Sequence, residues 1–252
     1  LKLLEIDIET APAIAYIWGL KTRYVPVNRL VEDGYTLCFA AKWYKKPGIV
    51  FKSIHEHGKE DMVRTAHELM EEADAIVHYN GTKFDVPILF QEMMSQGLSP
   101  PAPFKQIDLL KTVRQRFRLT SNKLDFVAEK LGLGNKVKHK GMEMWHECMA
   151  GNDSAWKDME RYNRRDVYLL EKVYKRLLPW IVDHPNLALY KNEINRPVCP
   201  SCGSSHVQSR GTAHTKTMTY QRFQCQSCGT WMRERLNNTT PDKKKHTMVG
   251  IK

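Results

Sequence analysis

Ile6-Asp7-Ile8-Glu9-Thr10 closes an apolar run, residues 2–9, that predicts a strand near the start of this 252-residue chain. Side chains alternate between the two faces of a strand, so Asp7 and Glu9 point the same way. The apolar residues around them make that face a core face. Two acids aimed together from such a strand need a cation or another partner to receive their charge. Taken alone, an Asp-x-Glu pair is more often solvated on an edge strand. The stretch therefore decides the fold only together with what lies beyond it.

Outward from this strand, Tyr35–Trp43 and Ile49–Ile54 predict two more strands, joined by a turn at Pro47-Gly48. Residues 59–73 carry helical spacing through Met62, Ala66, Leu69, Met70 and Ala73. Ala75-Ile76-Val77-His78 predicts a short buried strand, and Asp85–Met94 a helix with Pro87 where a first turn tolerates it. Ser99–Pro103 is a loop, Ile107–Leu110 the edge of an element, and Leu124–Leu131 a helix closed by Gly132. The longest periodic stretch, Trp156–Leu178, aligns Met159, Tyr162, Val167, Leu170, Val173, Tyr174 and Leu177 along one side. Strands first and then strand–helix alternation predict an α/β sheet domain.

Two further stretches place acids. In Tyr79-Asn80-Gly81-Thr82-Lys83-Phe84-Asp85-Val86-Pro87 the Asn-Gly pair predicts a tight turn, which puts Asp85 at a helix start. The plain role for an acid there is a helix cap. In Tyr162-Asn163-Arg164-Arg165-Asp166 the tyrosine and the aspartate are four apart and share a helix face. Asp108, in Ile-Asp-Leu-Leu, reads as a structural hydrogen-bonding residue. For Phe84 and Leu124 plain core is as good a reading as a place in a site. His55, His57, His78, His139 and His146 share no spacing that would make a site.

Order, spacing and context of these motifs resemble the DEDD exonucleases of the ribonuclease-H-like fold, in the subgroup whose last motif is Tyr-x-x-x-Asp. The likeness is greatest to the proofreading exonuclease domain of family B DNA polymerases. There the motifs are an Asp-Ile-Glu-Thr strand, an Asn-Gly-x-x-Phe-Asp-x-Pro turn and a Tyr-x-x-x-Asp helix. Ser121–Gly132 also resembles the segment between the second and third motifs. The resemblance covers residues 1–180, and no polymerase palm or fingers follows, which suggests a stand-alone relative.

The resemblance implies a ribonuclease-H-like mixed sheet flanked by helices. It implies a 3′→5′ exonuclease acting on DNA ends by a two-metal mechanism. Asp7, Glu9 and Asp166 would hold one Mg²⁺ or Mn²⁺, and Asp7 would bridge to a second that Asp85 holds largely through water. Hard oxygen donors suit those ions. Tyr162 would orient the attacking water, since a phenol near pKa 10 is a poor base. Thr10, Asn80 and Phe84 would approach the substrate. Tyrosine at position 162 excludes the sister subgroup, which has histidine there. Relatives with the same acids trim RNA, so an exoribonuclease is the alternative. An inert nuclease fold acting as a nucleic-acid-binding scaffold is the second alternative.

Cys199-Pro200-Ser201-Cys202-Gly203 and Cys225-Gln226-Ser227-Cys228-Gly229 are near-identical knuckles, and the segment between them has room for a hairpin. Each presents two thiolates on a tight turn, so the four predict one structural Zn²⁺ and resemble a zinc ribbon. Arg210, Lys216, Arg222, Arg233 and Arg235 interleave with Tyr220, Phe223 and Trp231. Cations on phosphates and aromatics on bases suit a single strand, although the aromatics could equally form the ribbon's own core against a protein partner. The net charge is +11, and residues 197–252 hold nine Lys/Arg against two Asp/Glu, which points to a polyanionic partner.

The expected organisation is an exonuclease domain at 1–183, a proline-marked linker at 184–197, the ribbon at 198–236 and a mobile basic tail at 237–252. No apolar run approaches the ~20 residues of a membrane helix, and no signal-peptide succession is seen. With Cys38 and Cys148 standing alone, the cysteine usage predicts a reducing, cytoplasmic setting.

Overall fold

The computed structural model describes residues 1–134 and 141–251; His139, one of the scattered histidines, lies outside them. The chain divides into two compact units, Leu1–Tyr174 and Lys175–Lys252.

The first unit opens with β1 (Leu3–Thr10), followed by a small hairpin of β2 (Ile14–Ala15) and β3 (Leu30–Glu32). The predicted strands follow as β4 (Thr36–Trp43) and β5 (Val50–Ser53). Then come a single turn α1 (Ile54–His57), α2 (Lys59–Glu72), β6 (Ala75–His78), α3 (Asp85–Ser95), β7 (Lys105–Asp108) and α4 (Leu109–Arg116). Helices α5 (Leu124–Lys130), α6 (Met142–Met149) and α7 (Asp153–Leu177) complete the layer. The sheet order is β5-β4-β1-β6-β7. β1 lies at its centre, antiparallel to β4 and parallel to β6. The edge strands follow suit, β5 antiparallel to β4 and β7 parallel to β6.

The two faces of β1 go to different neighbours. Leu4, Ile6 and Ile8 pack with Met62, Val63, Ala66 and Met70 of α2 and with Val86, Leu89 and Met93 of α3. On the other face, Cys38 and Ala40 of β4 pack with Met144 and Cys148 of α6 and with Trp156, Met159, Tyr162 and Val167 of α7. Each fully buried side chain of this size stabilises the fold by about 1.5–3 kcal/mol before entropy is counted. Helix α7 begins three residues before the predicted Trp156. Asn152 accepts from the backbone N–H groups of Ser154 and Ala155 and so caps an extra turn.

The second unit carries an antiparallel sheet of β8 (Val207–His214), β9 (Thr219–Cys225) and β10 (Trp231–Arg233), in the order β10-β9-β8. The expected hairpin between the cysteine knuckles is β8–β9. Within the tail, Pro241–His246 forms α8, with the Thr240 hydroxyl accepting from Lys243 N–H and proline at the first position. No helix among the described residues is long and apolar enough to cross a membrane.

Candidate active site

The two-residue period of β1 puts Asp7 and Glu9 on the face covered by α7, because Asp7 lies opposite Ala40 and Glu9 opposite Cys38. Helix α7 returns Tyr162 and Asp166 to that face, one turn apart. One oxygen from each of Asp7, Glu9 and Asp166 lies within 4.8 Å of the others. Three carboxylates from sites 157 to 159 residues apart thus converge, although like charges in one place repel. Asp166 and Tyr162 are almost fully buried, and Tyr162 hydrogen-bonds Asp166. The Tyr162 ring meets Trp145 of α6 edge-on, with centroids 6.0 Å apart. Burial, then the negative charge of Asp166, Glu9 and Asp7, pushes the phenol well above its ordinary value, so it keeps its proton and can donate.

Asp85 reaches the same strand from the other side of the turn. It occupies the first position of α3, whose cap residue is Phe84 and has no side-chain cap bond. The Asp85 carboxylate accepts from its own backbone N–H at the helix start. It also accepts from Ile8 N–H at 3.2 Å, midway between Asp7 and Glu9 in sequence. Burial pushes the Asp85 carboxyl up to about 7, against the pull of that N–H. It lies outside the close group of three.

The turn before α3 is held tightly. Asn80 is left-handed at φ 72°, and its N–H donates to Asp108 at 3.0 Å. Asp108 also caps α4 through Leu110 N–H at 3.0 Å, which is the structural role expected of it. Gly81 N–H donates to Nδ1 of the fully buried His78 at 3.0 Å. The Tyr79 hydroxyl donates to the Asn122 carbonyl at 2.6 Å. These contacts frame a cleft of about 570 Å³ lined by Tyr79, Asn80, Arg114, Asn122 and Lys123. Phe84 is 41% exposed and Leu124, which also lines the cleft, is half-buried, so of the two readings left open for them neither is a plain core residue. Thr10 is half-buried beyond a bulge at the end of β1.

One residue stands out that the sequence reading passed over. Asn163 is fully buried, and its Nδ2 donates to Asp7 twice, to Oδ2 at 2.8 Å and to the backbone carbonyl at 3.2 Å. Its Oδ1 lies 4.0 Å from the thiol of Cys38, which burial keeps protonated and hence a donor. The signal was present: Asn163 follows Met159 by four and precedes Asp166 by three, a polar residue on the buried stripe of α7.

In the second unit the four cysteines converge. The sulfurs of Cys199 and Cys228, and of Cys202 and Cys225, are 3.6 Å apart. That is far beyond a disulfide and close to the ~3.8 Å edge of a tetrahedron with Zn–S bonds of about 2.3 Å. All four are free thiols. Arg222 lies over Trp231 at 5.0 Å, and Arg233 over Tyr220 at 3.8 Å. Trp231 is 54% exposed, so it is not part of a buried ribbon core.

The sheet order, the mixed strand directions and the carboxylates at its centre define the α/β fold of ribonuclease-H-like nucleases. The chain belongs to the RNase H superfamily, whose family model matches residues 32–178. Strand β1, with Asp7 and Glu9, ends at Thr10 and so lies outside the matched region. Among solved structures the chain is similar to the family B DNA polymerase of the hyperthermophilic archaeon Pyrobaculum calidifontis, at 20% identity and a TM-score of 0.52. That likeness is one of fold; it covers 71% of this chain and only 25% of the polymerase chain. No curated protein matches the sequence.

Proposed function

We propose that the chain is a metal-dependent 3′→5′ exonuclease that releases nucleoside monophosphates from single-stranded or frayed DNA 3′ ends. The observation that carries this reading is the meeting of Asp7, Glu9 and Asp166 within 4.8 Å, with Tyr162 bonded to the last of them. The donor set is all carboxylate oxygen, gathered against its own repulsion, and so fits a hard divalent cation. Polarity and DNA preference are supported by the resemblance of the three motifs to proofreading exonuclease domains.

Two Mg²⁺ or Mn²⁺ ions, when bound, supply an activated water and neutralise charge growing on the phosphate. Asp7, Glu9 and Asp166 would hold the first ion, and Asp7 with Asp85 the second. Tyr162, carrying its proton, would position the attacking water instead of deprotonating it. Asn163 would fix the Asp7 carboxylate against the backbone of β1. By the same resemblance, Thr10, Asn80 and Phe84 would approach the terminal nucleotide. The thiolate edge distances support one structural Zn²⁺ on Cys199, Cys202, Cys225 and Cys228. Residues 1–183 would form the nuclease domain and 198–236 a ribbon that grips nucleic acid through its exposed Trp231 and neighbouring arginines. The ribbon is also the place for a protein partner. Free thiols throughout support a reducing, cytoplasmic setting.

The test is a time course on single-stranded DNA labelled at the 5′ or the 3′ end, with and without Mg²⁺ or Mn²⁺, beside a matched RNA. Monophosphates should leave from the 3′ end only when the ion is present. Asp7→Ala and Asp166→Ala should each abolish release while leaving oligonucleotide binding intact. Hydrolysis that survives either change at ordinary Mg²⁺ removes the proposed site, and faster loss of the RNA makes the enzyme an exoribonuclease.

A further inference from the structure

We propose that the segment Ile14–Glu32, the hairpin β2–β3 with its connecting loop, is a second nucleic-acid surface that grips the unpaired 3′ strand. The proposal rests on the exonuclease reading above. The segment exposes Tyr16 (76%), Trp18 (92%), Leu20 (97%), Tyr24 (73%) and Val27 (81%). So much apolar surface in one short stretch marks a site that meets a partner. It is also held in shape: Tyr16 N–H donates to the Arg29 carbonyl at 3.0 Å, and its root is tied by Ala11 N–H to the Tyr35 carbonyl at 2.8 Å.

Charge identifies the partner. The hairpin and its loop carry three cations, Lys21, Arg23 and Arg29, against one acid, Glu32, which ends β3 opposite Ile14 at the root. Beside its apolar side chains this surface carries a net positive charge, which suits a polyanion better than a purely apolar partner face. Tyr16, Trp18 and Tyr24 offer faces on which bases stack, and apolar side chains such as Leu20 can wedge between bases. Position agrees. Ile14 follows Glu9 by five residues, at most about 18 Å of chain, so the segment springs from the strand that carries the carboxylates. A strand end bound at those carboxylates therefore has this surface within reach.

The full-length chain and its Tyr16→Ser/Trp18→Ser/Tyr24→Ser variant are compared in two measurements. The first is fluorescence anisotropy of a labelled single-stranded DNA in EDTA, where no hydrolysis occurs. The second, in Mn²⁺, is the ratio of hydrolysis of that DNA to hydrolysis of the p-nitrophenyl ester of thymidine 5′-monophosphate, which is too small to span the hairpin. The variant should bind the DNA about ten-fold or more weakly, the effect of losing base stacks, and its ratio should fall accordingly. A Lys21→Glu/Arg23→Glu variant should lose affinity and show a shallower salt dependence. DNA affinity and ratio equal to wild type overturn the proposal. So does sedimentation showing that the triple variant has only lost a dimer, with DNA binding unchanged. If the wild-type chain hydrolyses neither substrate, the exonuclease reading fails, while the anisotropy in EDTA still decides the hairpin.

Discussion

Asn163 carries more of the site's geometry than its silence in the sequence suggests. Asp7 can bridge two ions only if its carboxylate is aimed, and a strand side chain is otherwise free to rotate about χ1 and χ2. One N–H of the Asn163 amide restrains the carboxylate at Oδ2 while the other anchors the amide to the Asp7 carbonyl, and the Cys38 thiol sets which end of the amide faces Asp7. Partners that orient ligands in this way are worth about 10–100-fold in metal affinity or activity. Asn163→Leu, close in volume, should therefore raise the Mn²⁺ concentration for half-maximal hydrolysis by about that factor. Mn²⁺ bound to the chain, followed by electron paramagnetic resonance, reports the same change without turnover. A folded variant with wild-type Mn²⁺ binding would show that Asn163 merely fills space. The acids were legible because a strand period of two and a helical spacing of four each fix a face. Asn163 was not, since burial of an amide and its choice of partner are tertiary facts that pattern only hints at. Asp85 does both things its position allows: at the helix start it accepts from its own N–H, and it also reaches the Ile8 N–H of the sheet's central strand.

Among the elements, the turn from β6 to α3 is where backbone and site meet most tightly. It must bring Asp85 to β1 within a few residues of the strand end. Gly81 permits this. A Cβ there would lie 2.3 Å from Cγ of His78 and 2.7 Å from its Cβ. The ring cannot easily swing away, because Nε2 is bonded to Gln106 at 3.2 Å and Asp108 lies 4.0 Å from Nδ1. Burial lowers the His78 pKa, which keeps the imidazole neutral and Nδ1 an acceptor for Gly81 N–H. Gly81→Ala should therefore destabilise the chain by roughly 1–3 kcal/mol, the usual range for overpacking. Urea denaturation measures it, and a midpoint unchanged from wild type would mean that the turn yields without strain. The Asn-Gly pair foretold a turn but not its reason: Asn80, not Gly81, takes the left-handed backbone, while the glycine serves close approach. Strands and long helices were legible because their periodicity spans several repeats. The β2–β3 hairpin and α6 were not, being short and exposed or built around a few scattered contacts such as Trp145 on Tyr162.

The whole molecule joins two units of different physical kinds. The first has a core of buried Ile, Leu, Val, Met and Phe on both faces of its sheet and can hold itself together by burial. The second has almost none. Between residues 198 and 236 the only buried apolar side chains are Cys199 and Cys225. A segment of that size without a core needs another source of folding free energy, and four convergent sulfurs supply one if they bind zinc. Four of six cysteines and most of the net charge fall near that end of the sequence. The two units should then respond differently to metal removal. With a strong zinc chelator, amide hydrogen exchange in β8 and β9 should rise to near that of an unfolded chain, whereas β1, β4 and β6 stay protected. Hydrolysis of the small thymidine ester, restored with excess Mg²⁺, should persist. Its DNA counterpart should weaken, because the aromatic and arginine pairs of the ribbon lose their frame. Protection of β8 and β9 that survives chelation would mean that the ribbon folds on its hydrogen bonds and half-buried aromatics alone, and zinc would no longer be required to explain the four cysteines.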